Sequence, residues 1–359
     1  MSLPPAISPS NPYCSEPYFQ QLLTKAVKAG ASDVHLKVGQ PPGARVRGGL
    51  VYFRVEKIRP EDTVALARHV LPRDTPSDDL SRVEEYDGSY EVPGVARFRV
   101  NVYRQRGSFA LVLRSIPYAV PSIEELGLPA ACKQLAEKDR GLVLCVGAAG
   151  NGKSTTLAAM VRHINATMAK HIITIEDPIE YLHEDDKSSV SQREIGVDTY
   201  SFAKALRASL RQDPDVIQVG EIRDSETMEI ALKAAETGHL VFSTLHTPDV
   251  QRTVNRVLAL SERHSDDIRT RLADALQGVV AQRLLKRADG SGVALAAEIL
   301  VCTGSVRETI KRPQGNPPLK ELMEQGAEMY GMQTFEMAVK RLLREGAIDR
   351  ETARASATF

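Results

Sequence analysis

The sequence predicts an α/β chain in two parts: a small α+β domain, then a larger domain built on a mostly parallel sheet with helices on its faces. Three observations carry this. At 359 residues the chain exceeds the roughly 250–300 residues at which single cores stop growing, so a boundary is expected. Its first third reads as helix, strand and hairpins, whereas later short apolar runs alternate with helical stretches. Finally, a glycine-rich segment follows one such run and opens a helix.

Residues 1–12 hold several prolines and little periodicity, and are expected to form a loose arm. A domain over 13–115 follows. Phe19, Leu22, Leu23, Ala26 and Val27 recur at helical spacing up to Gly30, and Val34, Leu36 and Val38 then alternate as in a strand. One hairpin is expected from Arg45-Val46-Arg47 and Leu50 to Val55 about Gly48-Gly49. A second pairs Ala96–Tyr103 with Ser108–Ser115 across Arg106-Gly107. Residues 116–122, with Pro117 and Pro121, read as an extended hinge.

The second domain is expected over 123–359. Its buried-strand runs are Leu142–Val146, Ile172–Ile175, Val216–Val219 and Leu240–Leu245, separated by helices near Thr155–Ile164, Phe202–Arg211 and Glu226–Thr237. From about 305 to 359 the chain reads as helices, with Met337, Leu342 and Leu343 as core positions.

Composition narrows the function classes. Lysine plus arginine equals aspartate plus glutamate at 46 each, aromatics are 5% and tryptophan is absent, which argues against a basic, aromatic-lined nucleic-acid groove. Cys14, Cys132, Cys145 and Cys302 form no C-x-x-C pair, so a structural metal or disulfide is not expected. No apolar run reaches the roughly 18 residues of a membrane span and no signal pattern opens the chain, so a cytoplasmic location is expected.

Gly147-Ala148-Ala149-Gly150-Asn151-Gly152-Lys153-Ser154-Thr155 matches the phosphate-binding pattern G-x-x-x-x-G-K-[ST] in full, between a strand and a helix as the pattern requires. Glycines let backbone N–H groups curve around phosphates, and the helix N-terminus adds positive partial charge. Lys153 would neutralise the β- and γ-phosphates of ATP, and the Ser154 hydroxyl would ligate Mg²⁺. Three further strands end in polar residues at the edge where such sheets bind ligands: Glu176-Asp177-Pro178-Ile179-Glu180, Gly220-Glu221, and His246. Glu180 and Glu221 are the candidates for orienting and deprotonating the attacking water. Glu176, Asp177 and Glu180 could instead cap a turn around Pro178, Glu221 could pair with Arg223, and His246 and His239 could be hydrogen-bonded structural groups.

Taken together these motifs resemble the bacterial type II/IV secretion and type IV pilus ATPases. Ile175-Glu176-Asp177-Pro178-Ile179-Glu180 resembles their Asp box, and Gly238-His239-Leu240 through Leu245-His246-Thr247 their His box. Val216–Glu221 resembles an atypical Walker B motif with glycine in place of the magnesium-ligating aspartate. Ala31-Ser32-Asp33-Val34-His35-Leu36 and Gly331-Met332-Gln333-Thr334-Phe335 extend the likeness from about Tyr18 to the C-terminus.

The resemblance is to the pilus retraction branch, since the longer N-terminal region and tetracysteine zinc element usual in extension enzymes are missing from the sequence. It implies a PAS-like N-terminal domain and a RecA-like ATPase domain assembled as a homo-hexamer. The partner would be an inner-membrane pilus platform protein, with neither nucleic acid bound nor the membrane entered, so the ring would be peripheral to the inner membrane. It also implies that Glu180 and Glu221 support hydrolysis, and that Arg99, Arg114, Arg207, Arg211 and Arg223 surround the nucleotide.

The sequence independently puts Arg97 and Arg99 on one strand face, and Arg207 and Arg211 one helical turn apart. Two departures stand out. Ala148, Ala149 and Asn151 replace the usual proline, threonine and serine of the loop. The stretch Ser305–Arg312 shares only Arg307 and Ile310 with the retraction signature A-I-R-N-L-I-R-E. The alternatives are therefore a type IV secretion traffic ATPase, or a nucleotide-gated regulatory paralogue with weak hydrolysis.

Overall fold

The computed structural model describes residues 11–46, 48–72, 80–116, 119–260 and 265–356. Contacts divide the chain into two compact units. One comprises Met1–Ala119 with Glu180–Leu182, the other Val120–Ile179 with His183–Phe359.

In the first unit, Ser15 caps helix α1 (Glu16–Lys28), its hydroxyl accepting the Tyr18 N–H. The apolar face of α1 buries Phe19, Leu22, Leu23 and Ala26. Strands β1 (Ala31–Lys37), β2 (Gly43–Val46), β3 (Gly49–Tyr52), β4 (Glu85–Val92), β5 (Ala96–Gln105) and β6 (Ser108–Ile116) form an antiparallel sheet in the order β3-β2-β1-β6-β5-β4. Helix α2 (Pro60–Val70) contacts β6 and contributes Leu66 to the core that also holds Phe98, Val100 and Leu113.

The β5–β6 hairpin turns at Arg106 and Gly107, both at positive φ, as a two-residue connection matching strand twist demands. The first hairpin is shorter than expected: β3 ends at Tyr52, leaving Val55 outside it and exposed, while Arg47 lies outside the described residues. Of the arm expected over 1–12, residues 1–10 also lie outside them, but Asn11 and Pro12 are folded. Asn11 is buried with its amide donating to Asp62 at 2.6 Å, and Pro12 opens a 3₁₀ turn. At the hinge, Pro117 is outside the described residues, and Ile116 is a buried strand residue because it pairs with Arg97.

The second unit carries a seven-stranded sheet: β7 (Gly141–Val146), β8 (His171–Glu176), β9 (Ser189–Glu194), β10 (Val216–Val219), β11 (Leu240–Leu245), β12 (Leu276–Lys286) and β13 (Val293–Val301), in the order β13-β12-β7-β11-β10-β8-β9. All neighbours are parallel except β12 and β13. Every residue of β7, β10 and β11 is buried, because helices cover both faces. On one face α3 (Ala131–Ala136) and α4 (Lys153–Thr167) pack Leu135, Met160 and Val161 against Val143 and Phe242. On the other, α5 (Phe202–Ser209) and α6 (Ser225–Glu236) pack Leu206, Met228 and Leu232 against Leu144 and Val219.

The remaining helices α7 (Val250–Leu260), α8 (Ser265–Ala275), α9 (Gly304–Lys311), α10 (Leu319–Gln325), α11 (Ala327–Tyr330), α12 (Phe335–Arg344) and α13 (Arg350–Ser356) complete the unit. Of the core positions expected on α12, Leu342 is buried and Met337 half-buried, but Leu343 is exposed. One residue further along a helix rotates the side chain by about 100°, off the packed face.

Candidate nucleotide site

Strand β7 delivers the chain into the glycine-rich loop at the carboxyl edge of the parallel sheet. Gly147, Gly150 and Gly152 all have positive φ, and a Cβ on Gly147 would stand 2.6 Å from the Gln282 carbonyl oxygen, so that position admits only glycine. Within the loop Asn151 is anchored: its Oδ1 accepts the N–H of Leu284 on β12 at 3.1 Å.

The loop ends in Gly152, which caps α4 without any side-chain hydrogen bond, and the first turn of α4 carries no acidic residue. The N–H groups and positive dipole end of a 15-residue helix therefore meet no protein anion in that turn. Lys153 is buried, with Nζ donating to the carbonyls of Gly147 at 3.0 Å and Ala148 at 3.1 Å. Ala149 and Ser154 are exposed and Thr155 is half-buried. Directed N–H groups, an ammonium and a hydroxyl make a donor set that fits a polyphosphate with its metal ion.

Behind the loop, Gln282 of β12 locks three elements together. Its Nε2 donates to Thr156 Oγ1 at 2.8 Å, and its Oε1 accepts from Cys145 Sγ at 2.9 Å. Sequence reasoning missed Gln282, since its partners lie more than a hundred residues away.

The adjacent strands supply the carboxylate. Beyond β10, the Gly220 N–H donates to Ile175 O at 2.8 Å and the Gly220 carbonyl accepts from Thr244 Oγ1 at 2.7 Å, which fixes the backbone leading into Glu221. The Glu221 side chain is 15% exposed, forms an ion pair with Arg223, and has Oε2 3.6 Å from His246 Nε2. The Glu221–Arg223 ion pair is thus present, and beside it stands His246. Hydrogen bonding to Glu221 raises the Arg223 pKa against the opposing effect of burial.

Glu176 is buried at the end of β8 and accepts hydrogen bonds from Thr174 Oγ1 at 2.6 Å and Gln192 Nε2 at 3.1 Å. The Asp177-Pro178 peptide is cis, and the N–H of Ile179 donates to Glu194 at 3.1 Å. Glu180 follows half-buried, and by its contacts belongs with the first unit.

His239 lies at the opposite end of β11 from His246. Its carbonyl accepts the N–H of Gly141, where β7 begins, and its Nδ1 lies 3.0 Å from Ala234 O. It therefore precedes β11 whereas His246 follows it, and a six-residue strand separates them by roughly 20 Å at ~3.3 Å per residue.

Among the arginines, Arg207 pairs with Glu226 at 2.5 Å. Arg211 is not on the same helix, because α5 ends at Ser209; it sits in the following turn with Nη1 donating to Arg207 O at 3.1 Å. In the first unit Arg99 is exposed, Arg97 donates to Ser89 at 2.7 Å, and Arg114 Nε donates to Asp33 at 2.9 Å. Burial raises the Asp33 pKa, but Ser32 and Arg114 outweigh it and hold the carboxyl below its ordinary range. Among the described residues no helix is long and apolar enough to cross a membrane, and no group of three or more His, Cys, Asp or Glu could hold a metal ion.

The family profile described as "Type II/IV secretion system protein" matches residues 89–356. The pilus retraction ATPase PilT of Pseudomonas aeruginosa is 44% identical over 338 residues, covering 94% of this chain and 97% of that protein. The crystal structure of the pilus retraction motor PilT with bound ADP superposes with a TM-score of 0.85 at 43% identity, covering 93% of this chain and 95% of that one. The Legionella pneumophila ATPase DotB gives a TM-score of 0.79 at 27% identity, with 100% and 99% covered. With its phosphate loop, its carboxylate strand and its likeness along nearly the whole length, the chain belongs to the type II/IV secretion system protein family of ATPases.

Proposed function

We propose that the protein is a pilus retraction motor that hydrolyses ATP as a cytoplasmic homo-hexamer, docked on an inner-membrane platform protein of the pilus machine and so peripheral to that membrane. The observation that carries this reading is Glu221, held at the carboxyl end of β10 with Oε2 3.6 Å from His246, at the same sheet edge as the glycine loop. The 44% identity to a retraction ATPase over nearly the full length supports the direction of the motor.

In this mechanism the loop N–H groups and the α4 N-terminus bind the phosphates, and Lys153 swings from the Gly147 and Ala148 carbonyls onto the β- and γ-oxygens. The Ser154 hydroxyl would hold a magnesium ion bound with the nucleotide, which would supply positive charge against the phosphate oxygens. Glu221 orients the attacking water and accepts its proton, with Glu180 in support. Arg207, Arg211 and Arg223 stabilise charge on the phosphoryl group.

The test is steady-state phosphate release by Glu221→Gln. Turnover should fall at least about a hundredfold while calorimetry shows ADP-magnesium binding retained; wild-type turnover would sink the assignment. A deletion strain should lose surface motility and carry excess pili. A strain without pili would indicate assembly, and one with normal pili but failed effector export would favour the second reading, a secretion ATPase, which the likeness to DotB supports.

A further inference from the structure

We propose that Glu298 is a positioning residue for the reaction, setting His246 beside Glu221 by holding the first peptide N–H of the helix that follows His246. The inference rests on the reading of Glu221 and His246 as part of the site. Glu298 lies on β13, two strands from β7, 9% exposed, with Asp249 and Arg283 as its charged neighbours.

A carboxylate is costly there, and burial raises its pKa despite the hydrogen bonds it receives. Both oxygens are committed. Oε1 accepts the N–H of Val250, the first residue of α7, at 2.9 Å, and Oε2 accepts the N–H of Phe335, the first residue of α12, at 3.4 Å. One rigid side chain thus ties together two helix N-termini that no local sequence signal would join.

Val250 is four residues beyond His246, and the intervening segment is braced at its far end. Asp249 Oδ1 accepts the Arg252 N–H at 2.7 Å, and the Thr247 and Thr253 hydroxyls lie 2.7 Å apart. At its near end Leu245 closes β11 in register with Val146. The segment from His246 to Asp249 is therefore a short bridge with two fixed abutments, β11 and the α7 N-terminus. Glu298 is the buried charge that fixes the second. His246 is exposed and meets Glu221 at 3.6 Å, so its position depends on that bridge. A displacement of about 1 Å in such a group costs up to about a hundredfold in rate.

Two substitutions remove the contact by different routes. Glu298→Gln keeps the shape but offers one acceptor where two N–H groups ask for one each. Val250→Pro deletes the N–H at the first helical position, where proline is well tolerated and the preceding cap residue is normally extended. Each variant, His246→Ala, and each pairing of a variant with His246→Ala is measured for kcat, KM and calorimetric affinity for ADP with magnesium.

The expected result is a fall in kcat of about ten- to a hundredfold in Glu298→Gln and Val250→Pro alike, with ADP affinity within about twofold of wild type because the phosphate loop is untouched. Adding either to His246→Ala should lower kcat no further, since both act through that histidine. Multiplicative losses in the double variants, or wild-type kcat in Val250→Pro, would overturn the proposal while leaving His246 in the site. Wild-type kcat in His246→Ala would remove His246 from the site and the proposal with it. Should Glu298→Gln fail to fold, the Val250→Pro arm decides alone.

Discussion

Asn151 Oδ1 accepts the N–H of Leu284 at 3.1 Å, so the phosphate loop is fastened to β12 by one of its own side chains. The loop here is therefore held partly from its flank as well as by its glycine backbone. Replacing Asn151 by alanine removes the acceptor from a partly buried N–H, which costs about 1 kcal/mol. We expect ADP-magnesium affinity to fall roughly three- to tenfold by calorimetry, with the melting temperature lowered by a few degrees. Unchanged affinity would mean the glycines alone shape the loop.

Gly220 stands where most phosphate-loop enzymes place an aspartate for magnesium, and the packing opposes a side chain there. A Cβ at Gly220 would lie 3.1 Å from Ile175 O and 3.2 Å from the Phe202 ring. Backbone on one side and a half-buried ring on the other must each give by a few tenths of an ångström, so Gly220→Asp should cost about 1–3 kcal/mol. Thermal unfolding of Gly220→Ala and Gly220→Asp tests this, with phosphate release alongside. Aspartate should lower stability without raising turnover, and a more active Gly220→Asp enzyme would contradict the steric account.

The sheet strands β7, β8, β10 and β11 were legible because each is a short apolar run closed by polar residues. By contrast β12 and β13 carry no such signal. Gln277, Gln282, Arg283 and Lys286 punctuate the first, and the second, Val293–Val301, is rich in alanine, a helix former. They are strands because β12 pairs with both β7 and β13, a tertiary cause. Likewise β9, Ser-Val-Ser-Gln-Arg-Glu, is a polar edge strand that takes its form from pairing with β8.

The glycine loop could be read from spacing alone, and the Glu221–His246 approach followed from strand ends. Gln282 and Glu298 could not, because their partners are brought near only by the fold. His239 and His246 flank β11 at its two ends, and only His246 stands at the carboxyl edge, beside Glu221.

His183 gives a pH signature. Burial lowers its pKa from 6.5 to about 4, so the folded protein prefers the neutral imidazole. Because the folded pKa is the depressed one, the stability it contributes is complete above pH 6.5 and is lost as pH falls through about 4. At about 1.4 kcal/mol per unit, acidification to pH 4.5 removes roughly 2–3 kcal/mol through this group. Urea unfolding of wild type and His183→Gln at pH 7.5 and pH 4.5 should therefore show the stability gap between them shifting by about 2 kcal/mol in favour of the variant at low pH. A gap that is the same at both values would mean that His183 is not held neutral by burial.

The two histidines flanking β11 should part company in kinetics. His239 Nδ1 lies 3.0 Å from Ala234 O near the end of α6, and the His239 backbone pairs with Gly141 at the start of β7. Its replacement by alanine loses one partly exposed hydrogen bond, worth about 1 kcal/mol of stability. No group it touches lies at the carboxyl edge of the sheet, so kcat and KM should stay within about twofold of wild type. His246 has the opposite profile: it is exposed and contributes little to packing, yet it stands 3.6 Å from Glu221 Oε2. His246→Ala should keep its melting temperature and lose kcat by at least about tenfold. Thermal unfolding and phosphate release measured on both variants separate the roles. A kinetic defect in His239→Ala matching that of His246→Ala would mean that position along the strand is not what divides them.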